Sequence, residues 1–342
     1  MDSRKDRAIS IALEFLQSGV DLPFSSATGP QLLAFSQQPT EDIEIQKFVN
    51  LVQVDPGLTT KILQLANSAY FARIDKIISL RQAVVHIGLE EVMNFIYVLF
   101  YRKALPSFPN LEGCFSDKDY WGHSWACAVA NRMLGHPDVG TSALPGELYL
   151  AGLLHGIGKL ILASRRPDDF LQCLHNSSDF EQPLAEAQLD VFGTTDSEIA
   201  YELLRTWQLP ENICMAIKYY QSPEDADEKF REIAGLTQFA YYLANTSGIG
   251  NINDEFCYDF KKTWIFRESS LPLSEEATHR VIMQKIYTAL ESKSSTITTL
   301  GGTIEDDRTG ESSAVSDEKK KTTSVPEKKG FIAWLRALFT LN

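Results

Sequence analysis

Asp55-Pro56-Gly57-Leu58-Thr59-Thr60-Lys61-Ile62-Leu63-Gln64-Leu65-Ala66-Asn67-Ser68 is a helix whose start is written into two residues. Asp55 offers an acceptor side chain at the N-cap, and Pro56 follows where a helix needs no amide donor. Leu58, Ile62, Leu65 and Ala66 then fall on one face at helical spacing, and the run closes at Asn67-Ser68. The pattern repeats outward. Upstream, Thr40 is a candidate cap for a helix carrying Ile45, Phe48, Val49 and Val52. Downstream, Ser79 and Gln82 have capping-box spacing ahead of Ala83, Val84, Ile87 and Val92. Helical period continues over Asp117–Leu134, Pro145–His155 and Ser197–Trp207, with Pro210 and Pro223 punctuating later helices. Alternating strand patterns are scarce, so the chain reads as all-α.

Its 342 residues allow two compact units or one large helical one. Apolar content of 44% and charged content of 23% suit a globular core. A net charge of −13 excludes broad binding to nucleic acid, which needs a basic surface to displace counterions. Cys114, Cys127, Cys173, Cys214 and Cys257 are odd in number and widely spaced, which points to reduced core thiols in a cytoplasmic protein. Arg4, Lys5 and Arg7 precede an apolar stretch that Glu14 interrupts, the mark of an amphipathic helix over residues 1–20 rather than a secretory leader. No run approaches the roughly 18 apolar residues of a membrane span.

One local stretch looks like catalytic machinery: Tyr149-Leu-Ala-Gly-Leu-Leu-His155-Gly156-Ile-Gly-Lys159. His155 ends an almost wholly apolar helix, and the glycines after it let the chain turn closely. Trp121-Gly122-His123-Ser124 places a second imidazole among large apolar neighbours. Two histidines on separate helices can meet in a bundle core, as in helical metal sites. They can equally be core histidines bonded to their surroundings, and spacing leaves both readings open. His86 lies on an apolar helical face and reads as core. His136 precedes Pro137 in a loop, and His175 and His279 have no ligand-like neighbours.

Taken in order, these blocks resemble a known family. The run from Asp55-Pro56 to Asn67-Ser68-Ala-Tyr70, with Ser79-Leu-Arg-Gln-Ala83 to Ile87-Gly88-Leu89, is similar to the front half of an HD-related output domain (HDOD). Trp121-Gly-His123-Ser, Ala151-Gly-Leu-Leu-His155-Gly-Ile-Gly-Lys159 and Trp207-Gln-Leu209-Pro210 are similar to its back half. The fit runs from about Leu22 to Leu290. The resemblance implies a helical fold descended from HD-type phosphohydrolases, found in bacterial signal transduction and often regulatory rather than catalytic. It also divides the domain, 21–290, into a helical subdomain at 21–115 and an HD-like one at 116–290.

The departures from the HD pattern carry the functional expectation. An active HD hydrolase has an aspartate next to the second histidine; here that position is Gly156. Where relatives often carry further histidines, this chain has Ser197 and the pair Tyr219-Tyr220. The terminal aspartate of the ancestral site should fall within Thr237–Tyr242, which holds no carboxylate. Activating water for attack on a phosphoester needs a dication held by several deprotonated ligands. His123 and His155 alone do not neutralise one, so no catalytic residue, bound metal or cofactor is expected. Lys159 reads as structural, tying down a helix end or solvated, rather than facing a phosphate. Asp196 in Thr-Asp-Ser reads as a helix cap, as does Asp55.

Beyond Glu291 the composition changes. Residues 291–329 are rich in Ser, Thr, Gly and charge and read as a disordered linker, acidic at Glu305-Asp306-Asp307 and basic at Lys319-Lys320-Lys321 and Lys328-Lys329. Within 330–342, Phe331, Trp334, Leu335, Leu338 and Phe339 make an apolar helical stripe. Three occupants suit it: its own domain, the inner membrane surface, or a groove on a partner. The expected function is a non-catalytic module for signalling proteins, without nucleic acid. The alternatives are a nucleotide sensor in the emptied pocket, lined by Tyr219 and Tyr220, and a residual phosphohydrolase acting on nucleotides or cyclic dinucleotides.

Overall fold

Asp55 accepts hydrogen bonds from the Gly57 and Leu58 amides at 2.9 and 3.1 Å, so the helix that follows Pro56 starts as its residues dictate. The computed structural model describes residues 2–17, 28–67, 76–247, 249, 262–274 and 281–290. Among them the chain is helical and has no β-strand, only an isolated antiparallel bridge between Leu111 and Phe115. The front helices are α1 (Asp2–Gln17), α2 (Gly29–Ser36), α3 (Ile45–Gln53), α4 (Pro56–Ala66), α5 (Leu80–Ile87) and α6 (Leu89–Ala104). The back helices are α7 (Asp117–Leu134), α8 (Pro145–Leu154), α9 (Ile157–Arg165), α10 (Pro167–Asp179), α11 (Leu184–Phe192), α12 (Asp196–Thr206), α13 (Glu211–Tyr219) and α14 (Glu228–Ser247). A short α15 (Trp264–Arg267) follows, and 281–290 is again helical. Ser68, Cys257 and His279 lie outside the described residues, as do the linker at 291–329 and the stripe of Phe331, Trp334, Leu335, Leu338 and Phe339.

Local chemistry sets most boundaries. Ser79 and Gln82 form the reciprocal capping box that their spacing predicts. That helix stops at Gly88, however, whose φ of 100° is a conformation side chains resist, and α6 leaves at 114°. Val92 therefore belongs to α6, not to the helix that Ser79 caps. Thr40 caps nothing: it sits in a 3₁₀ turn, Thr40–Asp42, and α3 begins after Glu44 without a side-chain cap. His86 is half-buried in the last turn of α5 rather than part of the core.

The core gathers around α7, which packs against α8 on one side and α14 on the other, with α13 bridging α8, α12 and α14. Gly152 lets α8 pack closely on α7, since a Cβ there would lie 2.7 Å from the Ala128 Cα. Asn131 on α7 donates to the Leu148 carbonyl at 2.8 Å and the Thr237 hydroxyl at 3.0 Å, pinning three helices at one point. Pro145–Arg165 is apolar enough on average for a membrane span although charged and polar residues interrupt it, and 94% of its apolar window is buried inside the protein. The buried face of α1, Ala8, Ile11, Ala12 and Phe15, docks on α9 and α12. Arg4–Glu198 at 2.9 Å and Arg166–Glu14 at 2.6 Å border that contact.

Candidate functional site

Six back helices converge on one buried cluster. His123 stands in the middle of α7 and His155 on the residue that ends α8, each about 1% exposed. Their ring centroids are 5.3 Å apart. Tyr241 of α14 packs edge-on against both, at 5.1 and 5.0 Å, and Tyr220 at the end of α13 lies 5.4 Å from His155 and 5.2 Å from Tyr241. Lys159 enters from the first turn of α9, its Nζ 5.5 Å from the Tyr241 ring and 5.8 Å from the Tyr220 ring.

Lys159 is as buried as the histidines. Its ammonium donates to the Asp196 carboxylate at 3.0 Å and to the Tyr220 hydroxyl at 3.1 Å. It is neither solvated nor turned to an open pocket; it ties α9 to the start of α12 and the end of α13. Asp196 is not the cap of α12. Thr195 takes that role, in a capping box with Glu198, which shifts Asp196 to the first helical position with its side chain inside. The Asp196 amide is itself held by the Gln188 side chain at 2.8 Å. Gly158 makes the approach possible, because a Cβ there would lie 1.9 Å from the Asp196 carbonyl oxygen.

The other expected positions divide. Gly156 faces the Tyr120 ring, which would lie 3.2 Å from a Cβ, so an aromatic edge stands where HD hydrolases have a carboxylate. Ser197 is buried, its hydroxyl 3.0 Å from that of Thr195. Tyr219 does not join the cluster: it is half-buried on the far side of α13, beneath the Lys218 ammonium. Trp207 and Pro210 mark the end of α12 and the start of α13 and lend no side chain to the cluster. The position that sequence reasoning missed is Tyr241. Thr237–Tyr242 is the window in which the HD pattern puts a terminal ligand, and the helix turns Tyr241 inward there.

Burial controls the titration. It pushes His155 down to about 3, helped by the Lys159 charge and partly opposed by the Gly152 carbonyl 2.7 Å from Nδ1. Burial also drives His123 well below its ordinary value, with His155 and Lys159 adding to the effect. Both imidazoles are therefore neutral, and both nitrogens of His123 and Nε2 of His155 lack hydrogen-bond partners among the described residues. An unfolded histidine takes up its proton near pH 6.5 while these two do not. Stability is thus complete above that pH and is lost as the pH falls toward the folded values. Each histidine should weaken folding by ~1.4 kcal/mol per pH unit in that window. Urea midpoints measured between about pH 7 and 5 should fall, and His155→Leu should remove about half of the fall; an unchanged slope in H155L would contradict neutral burial.

This donor set does not fit a divalent cation. It comprises two neutral imidazoles, and the buried Asp196 carboxylate is engaged by a lysine cation inside the same cluster. Among the described residues, no group of three or more His, Cys, Asp or Glu could hold a metal.

Comparison with known proteins agrees with the architecture. The HDOD domain family matches residues 28–223 of the chain. An HDOD domain protein of unknown function from Geobacter sulfurreducens has a similar structure, with TM-score 0.63 and 24% identity over 86% of this chain and 96% of that one. A candidate signal transduction protein from Marinobacter aquaeolei VT8 gives TM-score 0.65 and 22% identity over 89% of this chain and 66% of that one. Identities this low carry the fold alone. An uncharacterized protein of Treponema pallidum (strain Nichols) is 24% identical over 199 residues, 58% of this chain and 38% of that protein. The chain thus spans little more than a third of that relative's length. With its helical bundle and the family match over residues 28–223, the chain belongs to the HDOD domain family.

Proposed function

We propose that this protein is a non-catalytic regulatory module of bacterial signal transduction, acting through contacts between its helical surface and other proteins. The observation that carries the reading is the Lys159–Asp196 pair: the cation inside the remnant HD cluster is an ammonium, and it holds the buried carboxylate that joins the cluster. A water nucleophile needs a strongly polarising cation and an open coordination position. Here Tyr220, Tyr241 and Tyr120 pack against the histidines and Gly156, where a substrate would have to enter. Family membership and the signalling role named for the Marinobacter structure support the setting. The reading places the protein in the cytoplasm, with the apolar stripe at 330–342 as a means of reaching a partner or the inner membrane surface.

A residual phosphohydrolase is the competing reading, resting on His123 and His155. Incubation with bis(p-nitrophenyl) phosphate and with a cyclic dinucleotide, in the presence of manganese or ferrous iron, separates the two. The expected result is no product above background and far less than one metal ion per purified chain. Metal-stimulated turnover that disappears in His155→Ala would overturn the proposal.

A further inference from the structure

Away from the buried cluster, the first turns of α1 meet α12 and the end of α13 around a cleft of about 330 Å³. Its charge is opposite to that of the protein. Arg4, Lys5, Arg205 and Lys218 line it against only two acids, Glu198 and Glu202, in a chain of net charge −13.

Both acids are already engaged. Glu198 accepts from Arg4 at 2.9 Å, from the Thr194 hydroxyl at 2.8 Å and from the Thr195 amide at 3.1 Å, the last as part of the α12 capping box. Glu202 lies 3.4 Å from Arg205. Lys5 and Lys218 have no carboxylate within ion-pair distance among the described residues. Lys218 is instead held between two rings, its Nζ 4.6 Å from the Tyr201 centroid and 4.8 Å from that of Tyr219. The Arg205 guanidinium lies 5.3 Å from the Tyr201 ring. Aromatic faces position cations and attract them without neutralising them. The result is a concave site with a surplus of positive charge, carried by the unpaired Lys5 and Lys218 and brought together from α1 and the sequence-distant α12 and α13.

We propose that this cleft binds a small phosphate-bearing ligand, with Lys5 and Lys218 as its principal contacts and Arg4 and Arg205 at the rim. Charge-assisted bonds to phosphate are the strong ones, and guanidinium groups match phosphate geometry. The volume is at the lower end of small-molecule sites, enough for one compact anion. A long polyanion is disfavoured, because the acidic body around the cleft repels the rest of its backbone. Binding has a structural consequence. Lys5 rides on α1 and Lys218 on α13, so an anion between them staples α1 to the back helices, beside the Arg4–Glu198 pair that already does so. This assignment goes beyond the regulatory reading and does not depend on the fate of the HD cluster.

The test is titration of the full chain with inorganic pyrophosphate and, separately, with ADP, at ionic strength matched with potassium chloride, followed by calorimetry and thermal unfolding. One equivalent should bind and raise the unfolding temperature. The double variant K5Q/K218Q should weaken binding about tenfold or more, and E202Q, which removes a competing carboxylate, should tighten it. That gain separates lost contacts from lost folding. Equal affinity for the two ligands would assign the site to free phosphate groups, and markedly tighter ADP binding to a nucleoside phosphate. Absence of heat and of any thermal shift with both ligands, or undiminished binding by K5Q/K218Q, would overturn the proposal.

Discussion

Gly158→Ala should destabilise the fold by about 3 kcal/mol or more, although alanine is the better helix former by about 1 kcal/mol. The added methyl would sit 1.9 Å from the Asp196 carbonyl oxygen, 2.6 Å from its carbon and 2.8 Å from its Cα. All three are backbone atoms, held by the capped first turn of α12. No side chain can swing aside, so α9 and α12 must separate, and with them Lys159 and Asp196. Gly156→Ala, two residues away, is the internal control. Its methyl would meet only the edge of the Tyr120 ring at 3.2 Å, and it should stay within about 1 kcal/mol of the native protein. Urea unfolding of the two variants checks the contrast. If G158A is as stable as the native chain, the close approach of α9 to α12 is wrong.

What the sequence revealed and what it hid follow the reach of each interaction. The starts of α4 and α5 were legible because their hydrogen bonds close within three residues of Asp55 and Ser79. The break at Gly88 was not, since the apolar spacing runs through it and only the positive φ reveals the bend. Asp196 was misread for a local reason: Thr195, Asp196 and Ser197 can each cap a helix, and Glu198 selects Thr195 by completing its capping box. The partner that explains Asp196 is 37 residues away in sequence. Tyr219 and Tyr220 were indistinguishable in the sequence, yet neighbours on a helix point about 100° apart and only Tyr220 can face the histidines. Tyr241 arrives on a helix whose docking no local pattern encodes.

These features make the cluster a closed, densely packed core. Neutral imidazoles, tyrosine rings and one ion pair fill it, and three helix ends depend on that ion pair for their relative placement. The cleft shares α12 and α13 with that cluster. Tyr219 and Tyr220 are adjacent in sequence, and Glu198 follows Asp196 by two positions, so a ligand in the cleft would act on the helices that hold Lys159.

The variant with the largest expected effect is therefore Lys159→Met. It leaves the Asp196 carboxylate fully buried without its cation, and breaking a buried pair from one side is worth about 3–5 kcal/mol. Replacing both members by apolar residues removes the stranded charge along with its partner, a change often near neutral. Urea unfolding of the native chain, K159M and K159M/D196L at one pH is the most direct measurement of whether an internal cation holds this site. The expected result is a loss of about 3–5 kcal/mol in the single variant and recovery of most of it in the double. A single variant within about 1 kcal/mol of native, or a double variant no better than the single, would contradict it.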